Sequence, residues 1–167
     1  MVQIRDAVID DLPAMLEIYN YAIQNTVATF DLQEQSLEQR MVWFNKHGGN
    51  YPLLVAESQG EILGYSCLSS FREKPAYAKS TELSVYVSQE KRSIGVGSAL
   101  MAVLLQRAAQ LGYHTVISGI VGGNEASIAL HHKFGFTFVG KFREVGYKFG
   151  EWQDVHFYQL MIEKEID

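Results

Sequence analysis

Leu12, Met15, Leu16, Tyr19, Ala22 and Ile23 recur at helical spacing, which predicts a helix with one buried face running to about Asn25. Asp10 is placed to cap it, and Pro13 fits its first turn, where a backbone N–H has no helical partner. Val2 to Ala7 reads as a short strand ahead of that helix. Ser36-Leu37-Glu38-Gln39 has the form of a capping box, and the helix it opens is expected to stop at Gly48-Gly49. Pro52 to Glu57 and Ile62 to Phe71 are β-rich and are joined by a hairpin turn, Ser58 to Glu61. A strand from Thr81 to Val87 leads through a glycine-punctuated turn into a helix, Ser98 to Gln110, ended by Gly112. Thr115 to Val121 is a short apolar strand, and Asn124 caps a long helix ending at Gly135. Phe136 to Glu144 and Trp152 to Ile162 close the chain as two long strands around a turn from Gly146 to Gly150. The order predicts an α/β (α+β) fold, a mixed, mostly antiparallel central sheet flanked by helices.

The 167 residues suit a single domain, 1-167, with one hydrophobic core. Apolar residues at 47% and charged residues at 20% exclude a disordered or fibrous chain. A net charge of −5 argues against nucleic acid as a partner. One cysteine, Cys67, excludes an internal disulfide framework and a multi-cysteine metal site, so no metal is expected. The N-terminal residues are charged and no apolar run is long enough to span a bilayer, which leaves a cytoplasmic protein with no membrane partner as the expectation.

The most informative stretch is Leu83 to Ser98, a strand that leads into a loop with glycines at 95 and 97, flanked by Lys91 and Arg92, that opens a helix. Such a junction gathers unpaired backbone N–H groups at the positive end of a helix dipole, an anion site suited to a phosphate or pyrophosphate. Leu100 stands where a dinucleotide fingerprint needs its third glycine, and no Walker lysine follows. Taken alone, the two glycines fit a tight turn at least as well as a ligand loop.

With its context the stretch resembles the coenzyme A pyrophosphate loop of the GNAT superfamily of N-acetyltransferases. Asn124 to Phe136 resembles that superfamily's second signature, where an Asn near the helix start touches the cofactor and the helix ends in Gly-Phe. The resemblance implies an acyl-CoA N-acyltransferase fold and acetyl-CoA as co-substrate. It further implies a bulged strand at Val85-Tyr86-Val87 whose amides meet the thioester, and a cofactor set of Val85, Tyr86, Val87, Arg92 to Ser98 and Asn124. Asn25 to Asp31, Phe71 to Tyr77, Thr81 to Val87 and Gly146 to Val155 are similar to one branch, the phosphinothricin and methionine sulfone/sulfoximine acetyltransferases. That likeness implies a small amino-acid-like amine as acceptor and a homodimer.

The chemistry asks for particular groups. An ammonium has no lone pair, so a base must take its proton, and Glu82 is the candidate, directly or through a water. The N–H of Val87 is placed to stabilise the thioester oxyanion. His131 stands where many members of the superfamily have a tyrosine acid; it is a candidate acid, auxiliary base or polar wall. Arg72 and Lys74, with Glu73 between them, are candidates to hold the acceptor's carboxylate, and Phe30 and Tyr77 to wall its side chain. Each has a plain alternative, as a strand glutamate, a packed histidine, a solvated loop or a core aromatic. Two other functions fit the same loop: a protein or peptide N-acetyltransferase, and a non-catalytic acyl-CoA-binding module.

Overall fold

The computed structural model describes residues 1–163. One sheet of seven strands forms the centre, in the order β1-β2-β3-β4-β5-β7-β6. The strands are β1 (Gln3–Asp6), β2 (Leu53–Ser58), β3 (Glu61–Ser70), β4 (Ser80–Val87), β5 (Thr115–Val121), β6 (Thr137–Lys148) and β7 (Glu151–Met161). Every neighbouring pair is antiparallel except β4 and β5, which run parallel. The helices are α1 (Leu12–Asn25), α2 (Leu37–Phe44), α3 (Val96–Gln110) and α4 (Glu125–Lys133).

The alternation of strand residues divides the core into two. Leu54, Ala56, Leu68 and Leu83 meet Val96, Leu100, Met101 and Leu104 of α3 on one face. Leu53, Val55, Tyr65 and Cys67 meet Leu12, Met15, Tyr19 and Ile23 of α1 on the other. Arg40 of α2, only 3% exposed, lies on that second face. Its guanidinium stacks between the rings of Tyr19 and Trp43, and Nη2 donates to the Tyr65 hydroxyl at 2.8 Å.

Several boundaries depart from the sequence reading. A short 3₁₀ turn, Ile9–Asp11, precedes α1, and Asp11 rather than Asp10 sits at its start. The Asp11 carboxylate does not cap α1, because it accepts from Arg5 and from the Val8 N–H instead. Helix α2 keeps its Ser36 capping box but ends at Phe44, and Gly48 pairs with Tyr51 in an isolated bridge. Helix α4 has only nine residues. The turn expected over 146–150 is mostly strand: β6 continues to Lys148, and Phe149 and Gly150, with φ of 55° and 75°, make a two-residue turn. Two consecutive positive-φ residues give the turn whose twist matches a hairpin, so pairing continues right up to it.

Candidate active site

Strands β4 and β5 are paired only at Ser80↔Thr115, Thr81↔Val116 and Glu82↔Ile117. Beyond Glu82 they diverge and leave a cleft of about 510 Å³. The β3–β4 ladder runs unbroken from Ser70↔Thr81 to Gly64↔Val87. The bulge expected at Val85-Tyr86-Val87 is therefore absent from that pairing, and the amides are exposed by another route. Ser88 N–H bonds Leu63 O at 2.8 Å, which fixes the alternation of the antiparallel ladder. Tyr86 then faces β3 with its backbone groups, while Leu83, Val85 and Val87 turn theirs toward β5. Where β5 has moved away, the N–H groups of Val85 and Val87 point into the cleft.

At one end of the cleft, the loop after β4 runs into α3. Ser93 and Gly95 both have positive φ, 65° and 88°, and Gly95 is the N-cap of α3 with no side-chain cap. The first-turn N–H groups of a fifteen-residue helix are thus open to an anion. Nothing lies within 4 Å of a Cβ built on Gly95, so the space in front of the loop is free. Lys91, Arg92, Ser98 and Lys133 stand around it, and Lys133 Nζ donates to Ser98 Oγ at 3.1 Å. Asn124 caps α4, its Oδ1 accepting from Ser127 N–H at 3.3 Å, and lines the cleft. An open helix terminus, a left-handed glycine and three cations fit the pyrophosphate of acetyl-CoA, and the narrow cleft beyond fits its thioester arm.

The expected cofactor residues Val85, Tyr86, Val87, Arg92, Ser93, Gly95, Val96, Gly97, Ser98 and Asn124 all line the cleft. Ile94 does not; its side chain is 62% exposed. Lys91, read with Arg92 as charge beside the loop, lines it too. Lys133, Ser118 and the α1 residues Ile18, Tyr21 and Ala22 also line it and were not read from the sequence, because nothing in the chain's pattern singles them out.

Glu82 sits at the apex, the last residue of β4 still paired with β5. It is half-buried, and desolvation pushes its carboxyl above the ordinary carboxylate range. A glutamate in that position is a better proton acceptor than one in water. His131 forms part of the cleft wall and is 4% exposed. Its Nδ1 lies 2.7 Å from Ser127 O and its Nε2 2.9 Å from Ser118 Oγ. A carbonyl only accepts, so Nδ1 carries the proton and Nε2 accepts from the serine hydroxyl. Burial lowers the His131 pKa and favours this neutral form.

Arg72, Glu73 and Lys74 are exposed on the β3–β4 loop, outside the cleft wall. The Arg72 guanidinium lies over the rings of Phe71 and Tyr77, 5.2 and 5.7 Å from their centres. Phe30 is 37% exposed, and its ring covers Gly146 so closely that a Cβ there would overlap it. Neither Glu82 nor Phe30 reaches the cleft wall itself. Among the described residues, no group of three or more His, Cys, Asp or Glu side chains is placed to hold a metal ion.

A mixed sheet that parts beside a helix N-terminus, with free strand amides in the gap, defines an acyl-CoA N-acyltransferase. Residues 4–157 match the acetyltransferase (GNAT) domain, and the chain belongs to that family. It is 44% identical over 163 residues to a phosphinothricin N-acetyltransferase of Streptomyces coelicolor, covering 95% of each chain. It is 40% identical over 162 residues to an L-methionine sulfoximine/L-methionine sulfone acetyltransferase of Pseudomonas aeruginosa, covering 96% of this chain and 94% of the other. The structure of yncA from Salmonella typhimurium with its cofactor acetyl-CoA superposes with a TM-score of 0.95 at 34% identity, covering 100% of this chain and 97% of the other.

Proposed function

We propose that this enzyme transfers the acetyl group of acetyl-CoA to the α-amino group of a small amino-acid-like substrate of the phosphinothricin, methionine sulfoximine or methionine sulfone type. The observation that carries the reading is the cleft between β4 and β5, with strand amides facing into it and Glu82 half-buried beside it, at the last pair before the strands part. The names of the two relatives supply the substrate class.

In this reading Glu82 takes a proton from the acceptor ammonium, directly or through one water. The free amine attacks the thioester carbonyl carbon, and the N–H of Val87 stabilises the charge that grows on the carbonyl oxygen. The C–S bond then breaks and coenzyme A leaves. A thiol of pKa ~8.5 departs readily as thiolate, so acid catalysis is needed only weakly. His131, neutral and engaged at both nitrogens, is assigned to the wall rather than to proton delivery. Arg72 and Lys74 hold the acceptor's carboxylate from the loop above β4, with Glu73, Tyr77 and Phe30 shaping the entrance.

The reading extends to a cytoplasmic homodimer. Phe138, Phe142, Tyr147 and Trp152 on the β6–β7 hairpin are 53 to 60% exposed, an apolar surface of the kind that association covers. Among the described residues, no helix is long and apolar enough to cross a membrane.

The test is an assay of free thiol release from acetyl-CoA with a panel of free amino acids, their sulfoximine and sulfone analogues, and peptides. Turnover with the free analogues is the expected result. Turnover with peptides alone would make this a protein N-acetyltransferase, and binding of acetyl-CoA without turnover a non-catalytic module.

A further inference from the structure

The α1 residues Ile18, Tyr21 and Ala22, and Ala28 beyond that helix, also line the cleft. Ala28 belongs to a short segment, 28–31, that crosses from one half of the sheet to the other. On the β4 side the Tyr86 hydroxyl donates to Ala28 O at 3.4 Å. From α1 the Tyr19 hydroxyl lies 3.0 Å from Thr29 Oγ1 and also donates to the Asp31 carboxylate. On the far side, Lys148 Nζ donates to Thr29 O at 2.9 Å, and the Phe30 ring lies on Gly146. Both of those partners sit at the tip of the β6–β7 hairpin, beyond the last β5–β7 pair, Val121↔Val155.

Lys148 is unusual. It is 3% exposed, it makes one hydrogen bond, and no carboxylate among the described residues lies within ion-pair distance of it. Burial pushes the ammonium's pKa down even though the Phe149 ring lies 5.0 Å from Nζ and the Asp31 charge acts on it from segment 28–31, so holding it there is costly. The fold accepts that cost where the hairpin touches segment 28–31.

We propose that Lys148 is a positioning residue for acetyl transfer: its hold on the Thr29 carbonyl fixes segment 28–31 as a strap across the parted strands and so sets the width of the acceptor's entrance. The proposal rests on the reading of the cleft as the site of acetyl transfer. The cations suited to the cofactor's phosphates, Lys91, Arg92 and Lys133, stand by the α3 loop and bond to no residue of the strap, so on this proposal the strap governs the amine. A small, free amine needs such a constriction, because it offers few contacts of its own and depends on the walls for orientation.

The test separates the two substrates. Lys148→Met keeps the length of the side chain and removes the donor. Its expected effect is a rise of about tenfold or more in the KM for the amine, as follows from losing a charged hydrogen bond, with the Kd for acetyl-CoA within about twofold of wild type. Gly146→Ala disturbs the same strap independently, since its Cβ displaces the Phe30 ring, and is expected to raise the same constant. Thermal melts establish that each variant is folded, and should Lys148→Met fail to fold, Gly146→Ala carries the test. An unchanged amine KM in a folded variant, or an equal loss for both substrates, overturns the proposal. Hydrogen exchange reads the strap without any substrate: protection of the Asp31 amide, which donates to Thr29 Oγ1, should fall in both variants. Unchanged protection overturns the proposal even if the wild-type protein acetylates no amine, whereas absence of amine turnover in the wild type overturns only the functional reading.

Discussion

His131 Nε2 and Ser118 Oγ lie 2.9 Å apart, tying a helix on one face of the sheet to the strand on the far side of the cleft. The other ring nitrogen is bound to Ser127 within the same helix, so the imidazole is locked in one tautomer. The pair therefore keeps the cleft wall at a fixed place.

His131→Asn is expected to lower stability by about 1–3 kcal/mol, because one or both of these bonds is lost and a buried acceptor is left unpaired. The folded-state pKa of His131 is depressed by burial. Its contribution to stability is thus fully present above the unfolded value near 6.5 and is lost as pH falls through the folded value. Denaturant melts across that range should show the gap between wild type and variant closing on the acid side. Catalytic turnover should fall less than in Glu82→Gln.

Glu82→Gln keeps the shape of the side chain and removes the proton acceptor. Turnover should drop by ~10²–10⁴-fold, with a smaller change in the KM for acetyl-CoA. Because burial raises the Glu82 pKa, wild-type activity should decline on the acid side at a pH above the ordinary glutamate value of about 4.3. That limb of the pH–rate profile should be missing in the variant.

Gly95→Glu puts a side chain and a negative charge into the open space before α3, and forces a left-handed backbone on a residue with a Cβ. The strain costs roughly 1–2 kcal/mol and leaves the fold intact. Calorimetry should detect no acetyl-CoA binding to the folded variant.

Arg72→Ala should raise the KM for the amine and leave that for acetyl-CoA nearly unchanged. The side chain is exposed and rests on Phe71 and Tyr77, so the melting temperature should hardly move. Steady-state kinetics with both substrates varied provide the check.

Cys67 is 4% exposed, and burial pushes its thiol up to about 12. A disulfide reagent should therefore report only the coenzyme A released during turnover. Reaction with the protein itself should appear on adding denaturant.

The periodic apolar positions of α1, the capping box of α2 and the glycine loop before α3 made the order of elements readable from the chain. Those are local features, and local physics produces them. The two buried cations were not readable. Arg40 looks like a solvated helix charge until Tyr19, Trp43 and Tyr65 arrive from elsewhere in the sequence to enclose it. Lys148 looks like a turn residue, because neither the extra strand pairs nor contact with Thr29, 119 positions away, leaves a mark in the neighbouring residues. The free amides were expected for a local reason, a bulge, whereas they arise from the divergence of two strands. His131 was legible as a polar group at the site, but its hydrogen bonds depend on Ser118 across the sheet.

The short parallel seam between β4 and β5 also makes the protein's resistance to heat a function of its metabolic surroundings. Only three residue pairs join the two half-sheets there, and the gap beyond them is the space a bound nucleotide would fill. An occupied molecule gains contacts on both sides of its weakest line, and mass action adds about 2.7 kcal/mol at a hundredfold excess over the dissociation constant. The melting temperature would then rise with the concentration of acetyl-CoA around the protein.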